Sequence, residues 1–179
     1  MVKFGRHAAS KDRIEKLAES IEALARKDEE RIQEAHYIDE LRREAAAELH
    51  SCCASFVISL NRLLNKVTLE LAPPEFHAEV FRDPGVNVFQ INAAGRVIDI
   101  EFQATDTLTS TEQFRVPYIL QGSIRWFNQD MLDHTVVTET MLFYCHEKDQ
   151  RRWVVFDPRT HRVAPFDQDY LIALMERLV

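Results

Sequence analysis

From Arg6 to Ala72 the chain contains neither glycine nor proline. No other feature limits the fold as much, because so long a run without a backbone breaker can sustain continuous helix. Within it, apolar or small residues recur at steps of three and four: Ile14, Leu17, Ile21, Leu24, then Ile32, Ala35, Ile38, Leu41, Ala45, Leu49, Cys52, Phe56, Leu60, Leu63 and Val67. That spacing is the helical period. Ser10 suits the N-cap, with Asp12 in the first turn where the helix dipole favours an anion. The residues before it, 1–9, are expected to be disordered.

One helix from Ser10 to Leu71 would measure ~90 Å at 1.5 Å per residue. The 107 residues of 73–179 should make a globule only roughly 30 Å across. The helical segment therefore either breaks into a hairpin, with weak points at the charged run 26–31 and at His50–Cys53, or finds another chain. Its two parts differ in character. Residues 10–34 carry a narrow apolar stripe with charged flanks, as in a two-stranded coiled coil. Residues 49–71 are apolar over a much wider face (Leu49, Phe56, Val57, Ile58, Leu60, Leu63, Leu64, Val67, Leu69), which suits packing on a sheet. We expect a helical extension over 10–48 and an α+β globular domain over 49–179.

Pro73-Pro74 ends the helical pattern. Strand signals follow at Glu75–Arg82, Val86–Asn92 and Arg96–Ala104, the last alternating Ile98, Ile100 and Phe102 with Asp99, Glu101 and Gln103. Thr105–Gln113 reads as a polar connection. Phe114–Asn128 holds one or two strands, with Pro117 and Gly122 suggesting an edge, a bulge or a break. Thr135–Cys145 and Arg152–Phe156 form a hairpin, and His161–Ala164 adds a short strand. Asp167 caps a last helix whose apolar face is Leu171, Leu174, Met175 and Leu178, with Phe166 placed to staple it. The fold class is α+β: a long, kinked or broken N-terminal helix on five to seven antiparallel strands, with a short C-terminal helix.

The formal charge is −7, and residues 73–179 hold 10 basic and 16 acidic residues. Such a sheet repels nucleic acid and anionic membranes. No apolar run reaches the roughly 18 residues of a membrane span, and three cysteines make no disulfide framework. A reducing cytoplasm is the expected setting.

Candidate chemistry is sparse. His50, Cys52, Cys53, Cys145 and His146 offer zinc-type donors, but neighbours on a strand point to opposite faces and those on a helix lie about 100° apart. A cysteine nucleophile with a histidine base has no surrounding signature. Asp99 and Glu101 share one strand face at about 6–7 Å, a spacing open to acid–base work or a hard cation. Arg125 beside Trp126, and Trp153, could bind a ligand, although a core tryptophan beside an exposed arginine has the same pattern. No phosphate loop, Ser elbow, HExxH or paired CxxC is present. We therefore assign no catalytic residue, metal or cofactor. The expected ligand-binding set is Arg125, Trp126, Trp153, Asp99 and Glu101, the ligand itself being unspecified.

Thr135–Cys145 and Arg152–Phe156 are apolar on both faces, so both sides of the sheet must be covered there. The expected function is a non-catalytic module that forms a homodimer or other homo-oligomer through its N-terminal helix and binds a partner or apolar ligand on its sheet. The alternative is a small hydrolase or metal-dependent enzyme using Cys145, His146 or the Asp99/Glu101 pair.

Overall fold

A computed structural model describes residues 5–134, 137–147 and 150–179, with side chains from Asp12 onward. Helix α1 runs unbroken from Gly5 to Asn61. It passes through Ser10, which is therefore not its cap, and through both expected weak points. Of the expected disordered stretch, residues 1–4 lie outside the described residues. The chain divides into two compact units, Met1–Glu40 and Leu41–Val179. Burial begins at Leu41.

In the first unit the apolar stripe lies open. Ile14 is 65% exposed, and Leu17, Ile21, Leu24 and Ile32 are exposed to a similar degree.

In the second unit, the end of α1 buries Leu41, Ala45, Ala46, Leu49, Cys53, Phe56 and Val57. The alanines and the cysteine keep this face thin, so the backbone can approach the sheet closely. Helix stops at Asn61 rather than Leu71, and there is a physical reason. The Asn61 side chain donates to the Leu69 carbonyl at 2.9 Å and accepts from the Leu69 N–H at 2.8 Å. An amide that mimics a strand partner in this way diverts the chain into strand β1 (Glu70–Ala72). Leu63, Leu64 and Val67 lie in the intervening turn and are exposed, so they do not extend the core face.

Strands β2 (Asn87–Ala93), β3 (Arg96–Thr109), β4 (Tyr118–Phe127), β5 (Thr138–Glu147), β6 (Gln150–Asp157) and β7 (Arg162–Pro165) complete a sheet of seven described strands. Its order, β1-β2-β3-β4-β5-β6-β7, is the order of the sequence, and every pairing is antiparallel. Ala94 and Gly95 turn β2 into β3 with φ of +51° and +85°, the twist a two-residue hairpin needs.

Register sets two different faces. One carries cross-strand rows such as Phe89–Ile100–Ile124–Thr140 and Ala104–Leu120–Tyr144–Trp153. These residues pack under α1: His50 sits edge-on to Phe89 at 5.1 Å, and the Trp153 indole N–H donates to the Ala45 carbonyl at 2.8 Å. Gly122 lies mid-strand in the centre of the sheet, not at an edge. A Cβ there would overlap the Glu101 carbonyl oxygen and lie 2.7 Å from the Phe102 Cα, so the close approach of β3 and β4 demands glycine.

The other face carries a buried apolar cluster at its β5–β6 end, where Phe143, Cys145, Val154 and Phe156 gather with Tyr118 and Phe114. The cover is the chain's own connection between β3 and β4. Phe114 stacks on Phe143 with centroids 4.5 Å apart. Thr111 holds the loop, donating its N–H to the Phe114 carbonyl at 2.8 Å and accepting the Phe114 N–H at 3.0 Å. Residues 105–109 thus extend β3 across a bulge instead of forming a polar connection.

Residues 75–82, expected as a strand, contain a 3-10 turn at Ala78–Val80. Phe76 there stacks with His50 and meets Phe89 edge-on at 5.0 Å, so the segment caps the core rather than joining the ladder. Helix α2 (Gln129–Asp133) is a short addition capped by Asn128, which accepts from the Met131 N–H at 2.9 Å. Helix α3 (Gln168–Glu176) begins as expected: Asp167 accepts from the Tyr170 N–H at 2.9 Å, and Leu171, Leu174, Met175 and Leu178 are buried. Phe166 is buried beside the Tyr170 ring.

Candidate functional site

With Phe114 over one end, the rest of the second face across β2–β5 is uncovered and mixed, with a polar row at its centre and Val88 and Met141 exposed beside it. Its main row is Gln90–Asp99–Arg125–Glu139, read directly across four strands. Arg125 donates to Asp99 at 2.8 Å and also bonds Glu101, one step along the same face of β3. Burial works against the Arg125 charge, but the bond to Asp99 and the charges of Glu101, Asp99 and Glu139 outweigh it and raise its pKa. Three carboxylates around one guanidinium leave a net negative patch. Beside it, a depression of about 400 Å³ is floored at Gly122 and lined by Glu101, Gln103, Gln121, Ser123 and Met141.

The five expected site residues therefore separate. Asp99, Glu101 and Arg125 meet on the open face. Trp126 and Trp153 belong to the opposite, buried face. Trp153 is committed to the Ala45 carbonyl and to the rings of Phe102 and Tyr144. Trp126 lies 5.8 Å beneath the Arg177 guanidinium. Strand alternation alone fixes this split, since Arg125 and Trp126 are neighbours.

The sulfur and imidazole donors are also dispersed. Cys53 is buried on α1, whereas Cys145 is in the Phe114 cluster on the far side of the sheet. His50 is held by the Pro73 carbonyl at 2.9 Å and by the rings of Phe76 and Phe89. Among the described residues no group of three or more His, Cys, Asp or Glu could hold a metal ion. Burial pushes the Cys52 thiol up to about 11 and Cys145 up to about 12, and raises Cys53 further. At neutral pH these groups carry their protons, the reverse of an activated nucleophile.

The Asp99/Glu101 pair is likewise engaged, since both carboxylates bind Arg125. A charge-assisted pair of this kind fixes the orientation of its groups, and a free acid–base couple would need one carboxyl released. Among the described residues no helix is long and apolar enough to cross a membrane. No protein family matches the sequence, and neither a curated protein nor a solved structure resembles the chain at a significant level.

Proposed function

We propose that the chain is a non-catalytic interaction module that pairs with a second copy through its N-terminal helix and offers the open face of its sheet to a partner. One observation carries the reading: the exposed stripe of the first unit. Ile14, Leu17, Ile21 and Leu24 follow one another at steps of three and four, so isoleucine takes the a positions of a heptad and leucine the d positions. That combination favours two parallel strands. Asp28 and Arg31 fall next in the same frame, and polar residues at core positions fix register at a cost in stability.

The charge of this segment supports a protein partner over an anionic membrane, for residues 1–40 hold eight Lys/Arg and ten Asp/Glu. Exposed apolar side chains contribute roughly 1–2 kcal/mol each when the remaining half or more is buried. Eight of them in a dimer give about 8–16 kcal/mol against an association cost of about 4–15 kcal/mol. The balance describes a reversible, concentration-dependent pair. On the sheet, Asp99, Glu101 and Glu139 around Arg125 suit a polar partner with cationic groups. Three free thiols, Cys52, Cys53 and Cys145, fit a reducing cytoplasm.

Sedimentation equilibrium of the full chain tests the pairing. A monomer–dimer equilibrium is expected in the micromolar range, and a single monomeric species throughout that range would overturn it.

A further inference from the structure

Between α3 and the β4–β7 part of the sheet lies a cleft of about 260 Å³. It is separate from the open face and from the helical stripe. Its floor is apolar, formed by Trp126, Val155 and Ala164, and Thr138 and Thr140 of β5 bring hydroxyls to one wall. Tyr170 of α3, whose hydroxyl is in hydrogen-bond contact with Thr140, lines that wall too. Burial raises its hydroxyl to about 12, so it stands as a neutral donor.

Three arginines reach this cleft from three places in the chain: Arg159 in the β6–β7 turn, Arg162 at the start of β7 and Arg177 at the end of α3. In a chain of net charge −7 such convergence is unusual. Arg159 lies 3.7 Å from Asp157, which offsets one positive charge. Arg162 and Arg177 form no ion pair among the described residues. The Arg177 guanidinium is held instead over the Trp126 ring. Glu139, which also borders the cleft, lends its charge to Arg125 on the other face.

We infer that this cleft binds a small organic anion, with a carboxylate or phosphate held by Arg162 and Arg177 and a short apolar body against the Val155 and Ala164 part of the floor. The chemistry matches part by part. Guanidinium forks bind planar or tetrahedral oxyanions by paired N–H donors. The hydroxyls of Thr138 and Tyr170 can add to the oxygen shell, while that of Thr140 is committed to the Phe156 carbonyl at 2.9 Å, and the apolar floor excludes water beneath the body of the ligand. Volume limits the guest to a small metabolite rather than a dinucleotide.

Inorganic phosphate and benzoate serve as probes, since one offers the oxyanion alone and the other adds an apolar ring. Each is titrated into the full chain at constant ionic strength, with chloride as the reference, while thermal unfolding and tryptophan emission are followed. We expect both probes to raise the unfolding temperature above chloride, benzoate the more strongly. Binding should weaken about tenfold in Arg162→Gln and in Arg177→Gln, and stay unchanged in Arg115→Gln on the β3–β4 connection. Circular dichroism checks that each variant keeps its fold. No effect beyond chloride, or an effect that survives both cleft variants, or one lost equally in Arg115→Gln, would overturn the assignment. Self-association is read separately by sedimentation, so this site and the pairing stand or fall apart.

Discussion

Replacing Gly122 with alanine probes the centre of the sheet. Gly122 faces Phe102 on β3 and Leu142 on β5, so strands flank it on both sides. A methyl group there would overlap the Glu101 carbonyl oxygen and stand 2.7 Å and 2.8 Å from Cα and Cβ of Phe102. Carbon atoms rest at about 3.5–4.0 Å, so relief requires β3 and β4 to part by roughly 1 Å. Overpacking against side chains costs about 1–3 kcal/mol. Here the opposing atoms are mostly backbone and cannot rotate away, which puts the expected loss at about 3 kcal/mol or more. For a protein of this size that is a fall of roughly 6–12 °C in Tm.

Urea unfolding followed by circular dichroism reads the effect as a lower midpoint with an unchanged slope. Gly95→Ala is the comparison. Nothing lies within 4 Å of its Cβ, but its φ is +85°, so only backbone strain of about 1 kcal/mol is expected. The reasoning fails if Gly122→Ala unfolds within about 0.5 kcal/mol of the parent, or if Gly95→Ala is the more damaged of the two.

Trp153→Phe removes the donor to the Ala45 carbonyl and part of a buried ring, and should cost about 2–3 kcal/mol in urea unfolding; an unchanged midpoint would refute its role in joining helix to sheet. Leu17→Ala with Leu24→Ala removes four side chains from the proposed pair, roughly 4–8 kcal/mol, so sedimentation should find monomer while the melting of residues 41–179 is unaltered. The third expectation concerns alkaline pH. The folded state holds the protons of Cys52, Cys145 and Tyr170 up to about 11, 12 and 12. Their stabilisation is complete below the unfolded values, about 8.5 for thiols and 10 for tyrosine, and is lost as pH rises towards the folded ones. The urea midpoint should therefore fall above about pH 9, and fall less in Cys145→Ala; a flat profile would contradict the burial of these groups. Alkylation of native protein at neutral pH should likewise be slow at Cys53 and Cys145, and rapid modification would show them accessible.

Features set by local chemistry were legible in the sequence. The alternation of Ile98, Ile100 and Phe102 fixed a half-buried strand, and Asp167 fixed the start of α3, because each depends on residues within a few positions. Features set by distant partners were not. Nothing near Leu69 announces that Asn61 will pair with its backbone and turn helix into β1. Phe76 looked like a strand residue until His50 and Phe89 supplied its neighbours. The doubly apolar β5 and β6 correctly required two covers, but Phe114 read as the first residue of a strand segment, and only Phe143 across the sheet makes it a cover. At the candidate site, strand alternation was enough to gather Asp99 and Glu101 and to part Arg125 from Trp126. The arginine cleft left no such trace, because Arg159, Arg162 and Arg177 converge only once α3 folds back on the sheet.

The two ends of the sheet bear on how such a protein avoids polymerising. Edge strands offer unpaired backbone to any passing strand. Here β1 has three residues and β7 four, the latter ending in Pro165, which has no N–H to give. Where β1 falls short of covering β2, the Asn87 side chain is tied to both backbone groups of Arg82, at 2.9 and 3.2 Å. Growth by strand addition is thus blunted on either side, and a chain guarded in this way can carry a sticky helical stripe without becoming a fibre.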